Sequence, residues 1–67
     1  MNNRIKRMVH QGGFIEIFFE EKARRPEESN ELIFERINCE YEAFFGTPRY
    51  SSYNSFRQIR DRESRKR

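Results

Sequence analysis

The chain holds one cysteine, one histidine, two prolines and three glycines in 67 residues. A single cysteine forbids an internal disulfide and rules out a four-cysteine zinc site. So little proline and glycine excludes a collagen-like or linker segment. Long apolar runs are missing as well. The longest, Phe14 to Phe19, is broken by Glu16, far short of the roughly 18 residues that a membrane span requires. No long apolar stretch with a small-residue cleavage site is present, so no secretory signal is read. The lone Cys39 suits a reducing compartment. The expectation is a cytoplasmic protein with no membrane partner.

Catalytic apparatus is equally scarce. His10 and Cys39 are the only pair from which a nucleophile and base could be assembled. Cys39 lies between Asn38 and Glu40 in an acidic segment, a poor setting for a nucleophile. Glu20-Glu21 and Glu27-Glu28 are neighbours in sequence and read as solvated faces rather than an acid–base pair in a cleft. Gly12-Gly13 is followed by Phe14-Ile15, where a phosphate loop needs Lys and Ser or Thr. A domain this small rarely encloses a ligand-sized cavity. No catalytic residue, metal ligand, cofactor or small-molecule substrate is assigned.

Charge and aromatic rings are what the chain does have. Charged residues make up 37% and aromatics 15%, with a net charge of +3. The charge is segregated. Residues 1–25 carry +3, residues 26–45 carry −5 and residues 46–67 carry +5. Arg outnumbers Lys by eleven to three. Arg presents a planar fork of donors suited to phosphates and base edges, whereas Lys acts mainly as a point charge.

The clearest element is a helix over 27–45. Pro26 fits a first helical turn, Glu27, Glu28 and Glu31 favour the positive end of the dipole, and Gly46 with Pro48 supplies a stop. Its apolar positions Ile33, Ile37, Tyr41 and Phe44 recur at helical spacing, widened by Leu32, Phe34 and Phe45. Ser51 and Ser52 are good caps for a second helix starting near Tyr53. That helix has a thin stripe of Tyr53, Phe56 and Ile59, so it is expected to dock by its first half. The N-terminal third reads as two short helices, about 3–10 and 14–24, on either side of Gly12-Gly13, because glycine is costly inside a helix. The fold class is therefore all-α: one domain over 1–67, a small bundle of three to four helices with an Arg-rich C-terminal helix. Residues 57–67 form a basic segment that projects or lies on a partner.

Arg49, Tyr50, Tyr53 and Phe56 interleave with serines and Asn54, and Arg57, Gln58, Arg60, Arg62 and Arg65 follow. A helix of this composition after a loop is what a groove-binding element looks like. The functional expectation is a small nucleic-acid-binding accessory or regulatory protein. Its contacts are Arg49, Arg57, Gln58, Arg60, Arg62 and Arg65, with Arg4 and Arg7 adding phosphate contacts. The partner is DNA or, if Tyr50 and Tyr53 stack on unpaired bases, RNA. The alternative is a protein-interaction module or homo-oligomer using surplus rings around Phe14, Phe18, Phe19, Phe44 and Phe45.

Overall fold

The computed structural model describes residues 3–65, with side chains described for residues 3–63. Four helices follow one another: α1 (Asn3–Val9), α2 (Gln11–Arg24), α3 (Asn30–Phe45) and α4 (Tyr53–Arg65). There is no strand among the described residues. The chain is a small all-helical bundle.

The break between α1 and α2 falls at His10, whose backbone is extended. It does not fall at the glycine pair, which instead lies in the first turn of α2. The reason is steric. A β-carbon at Gly13 would sit 2.0 Å from the Arg7 carbonyl oxygen. Glycine is needed there because the end of α1 passes directly over it, so the pair permits a tight helix crossing rather than ending a helix.

α3 begins at Asn30, three residues later than its Pro26–Glu28 lead-in suggests. Ser29 is the cap, and its hydroxyl accepts from the Leu32 amide. That satisfies one of the donors a helix start leaves open. Residues 26–28 form a turn instead, held by the Lys22 ammonium on the carbonyls of Pro26 and Glu28. Glu28 itself takes both bonds from Arg36. At the other end Gly46 adopts a left-handed φ of 88° and its amide returns to the Glu42 carbonyl, the usual glycine stop.

The core is aromatic. Phe14, Phe18, Ile17, Ile33, Ile37, Met8 and Phe56 are fully buried, joined by Ile5, Ile15, Phe34 and Tyr50. Phe56 lies 5.0 Å from both Phe18 and Phe34 and 5.5 Å from Phe14, centroid to centroid. Rings at such separations add to their area burial. Phe14 and Phe18 are thus core residues, not surplus rings for an interface. Tyr50, only 7% exposed, packs edge-on against Phe14 at 5.1 Å and is closed to base stacking. Leu32, Phe44 and Phe45 go the other way. They belong to the helical pattern of α3, yet they are exposed.

Candidate nucleic-acid interface

The mount of α4 explains the burial of Tyr50 and the exposure of Phe44 and Phe45. The loop after α3 does not run on past its end; it folds back along the helix. The Asn38 side chain accepts from the amides of Arg49 and Tyr50, at 2.9 and 3.2 Å, and donates to the Tyr50 carbonyl at 3.0 Å. Asn38 lies seven residues before Phe45, so the last two turns of α3 extend about 10 Å beyond this clamp. Phe44 and Phe45 sit on that extension, 51% and 36% exposed. Tyr50, fixed by the clamp, drops into the core, and α4 starts from there. Ser52 caps it by accepting from the Ser55 amide.

One side of α4 holds it to the bundle. Phe56 is buried, and Tyr53 and Ile59 pack against the core. Arg60 belongs to this side too. Its side chain is 15% exposed, lies over the Phe18 ring at 5.6 Å and donates to the Tyr53 hydroxyl and to Asp61. Glu63 accepts from Gln11 of α2 at 3.0 Å. Docking therefore continues through Glu63, well past the first half of the helix that the thin apolar stripe implied. A cation lying on a ring and a carboxylate bonded to a neighbouring helix extend the stripe without any apolar residue.

The opposite side faces solvent. Asn54, Arg57, Gln58, Asp61 and Arg62 are exposed. At 3.6 residues per turn, Arg57 and Arg62 stand on the two margins of this face, about 140° apart, with Asn54, Gln58 and Asp61 between them. The Arg57 guanidinium donates to Asn54 at 2.8 Å, a neutral partner that orients the charge without cancelling it. Arg62 has no ion-pair or hydrogen-bond partner among the described residues, and neither has Gln58. Asp61 is offset by Arg60 at 3.2 Å. No acidic residue occupies the first turn of α4, which keeps the positive end of its dipole open.

The remaining cations are placed differently. Arg4 spans Glu21 of α2 and Glu40 of α3, at 2.8 and 2.7 Å. Arg7 pairs with Glu20 at 2.6 Å. Both strap the short α1 onto its neighbours, and Arg4 answers the buried carboxylate of Glu21. Arg49 lies half-buried over the Tyr50 ring at 4.9 Å. The Arg65 side chain is outside the described residues. Of the predicted contacts, Arg4, Arg7 and Arg60 thus hold the fold, and Arg57 and Arg62 meet solvent unneutralised. Counting charges cannot make that division, because it depends on which carboxylates the fold brings within reach.

Among the described residues no cluster of His, Cys, Asp and Glu is arranged to hold a metal ion, and no helix is long and apolar enough to cross a membrane. Cys39 is exposed. No protein-family model, curated protein or solved structure matches the sequence.

Proposed function

We propose that the protein is a small, non-catalytic nucleic-acid-binding accessory or regulatory domain of the cytoplasm, and that the outer face of α4 is its contact surface. The observation that carries this reading is the pair Arg57 and Arg62, exposed on one helix face with no carboxylate partner among the described residues. Polyanions bind small basic domains largely through such cations, with release of condensed counterions. Ser51, exposed just before the helix, adds a hydroxyl donor of the kind that reaches phosphate oxygens.

Fluorescence anisotropy of a labelled random-sequence duplex tests the proposal. Binding should weaken steeply with salt. Arg57→Glu with Arg62→Glu should abolish it while leaving helicity unchanged. Arg4 and Arg7 should contribute mainly to stability. A double variant that binds as tightly as the parent would remove the proposed mechanism.

A second reading, a protein-interaction module, is favoured by one observation. Phe44 and Phe45 meet edge-to-face at 5.1 Å on the exposed extension of α3. Sedimentation addresses its homo-oligomeric form, since a clean monomer at high concentration leaves only a foreign partner.

A further inference from the structure

From the distribution of side chains around α4 we infer that its target is the major groove of duplex DNA, with Gln58 as the base-reading residue. The inference rests on the proposed nucleic-acid function and deepens it.

An α-helix with its side chains is about 10–12 Å across, and the major groove of B-DNA is about 12 Å wide. A helix lying in that groove presents three sectors. Its centre faces base edges, and its two margins face the two phosphate backbones. The outer face of α4 is partitioned in the same way. Arg57 and Arg62 hold the margins, about 140° apart. Each can therefore reach a different strand, which a helix lying along a single strand would not need. Between them stand Asn54, Gln58 and Asp61, all exposed. Asn54 has its oxygen engaged by Arg57, and Asp61 is engaged by Arg60. Gln58 alone of the three has both its amide donor and its acceptor uncommitted. A glutamine amide pairs with the N6 and N7 edge of adenine through two hydrogen bonds.

The alternatives fit less well. The major groove of duplex RNA is deep and too narrow for side chains to read. Single strands are held by stacking on exposed rings beside a basic track. Here Tyr50 is buried and Phe56 is at the centre of the core, so no ring is displayed between the two arginines. The helix is also long enough. Its 13 residues run about 20 Å, on a molecule measuring 29 × 26 × 22 Å.

The test compares the full chain on duplex DNA, duplex RNA and single-stranded DNA of matched length, then selects preferred sites from a pool of random DNA duplexes. Duplex DNA should bind about tenfold or more above the other two, as groove access dictates. The selected sites should share a fixed adenine. Gln58→Ala should erase that preference by about tenfold with little change in non-specific binding. Arg57→Ala and Arg62→Ala should instead weaken all sequences alike, each lowering the slope of log K against log salt by about 0.9. All three positions are exposed, and an unchanged circular dichroism spectrum checks the fold. Equal binding to all three nucleic acids, no selected preference, or a preference indifferent to Gln58 would each overturn the inference. In those cases α4 is a phosphate clamp and the proposed function stands. Absence of binding to any of the three would remove both.

Discussion

Gly13 and Gly12 are adjacent and chemically identical, yet the fold uses them differently. At Gly13 a methyl group would collide with the Arg7 carbonyl, while at Gly12 nothing lies within 4 Å. Gly13→Ala should therefore force α1 away from α2 and cost about 1–3 kcal/mol, the range for overpacking a tight contact. Gly12→Ala should be neutral or stabilise by up to about 1 kcal/mol through helix propensity alone. For a domain of this size 1 kcal/mol moves Tm by roughly 4–8 °C, so thermal melts followed by circular dichroism will separate the two. A drop in Tm for both variants would show that the glycine pair acts through backbone freedom rather than close approach.

At the scale of elements, the Asn38 side chain joins α3 to α4 through three hydrogen bonds. Asn38→Ala leaves two amides and a carbonyl to find new partners and should cost about 2–4 kcal/mol. Amide exchange at Arg49 and Tyr50 should accelerate more than exchange at Ile33 or Ile37, if the clamp is local. Much of the helical layout was legible without this joint. The apolar periodicity around Ile33 and Ile37 identifies α3, Gly46 ends it, and Ser52 opens α4. The fate of the rings was not legible. Phe44 follows the same spacing as Ile37 but lies past the point where Asn38 turns the chain back, so periodicity alone assigns it to a core it never reaches. Tyr50 stands among serines and arginines and reads as surface until that same clamp pulls it inward. Composition alone marks α4 as the Arg-rich helix. It could not tell that Arg60 would lie across Phe18 while Arg57 and Arg62 stayed outside, because that depends on ring positions set by α2.

Across the whole molecule, the ion pairs among the described residues form mostly within the charge segments, and Arg4–Glu40 joins the basic N-terminal segment to the acidic one. The hydrogen bond from Arg7 holds the Glu20 carboxyl below the ordinary glutamate range, and the bond from Arg36 does the same for Glu28. A carboxylate with a lowered folded value adds stability that is complete above its unfolded value, about 4.3. That stability is lost as pH falls through the folded value. The urea midpoint should therefore be flat near neutrality and fall below about pH 4. Glu20→Gln and Glu28→Gln should each lower the neutral plateau and shrink the acid-side drop. A midpoint that falls equally in the parent and in both variants would assign acid sensitivity elsewhere.

The Asn38 clamp grips peptide groups, so it does not depend on which side chain stands at position 49. The outward positions 57, 58 and 62 are likewise detached from the mount. The fold thus separates a fixed chassis, set by Gly13, Asn38 and the buried rings, from an exchangeable outer face of α4. Substitutions at 57, 58 and 62 should change the chemistry of that face without refolding the domain.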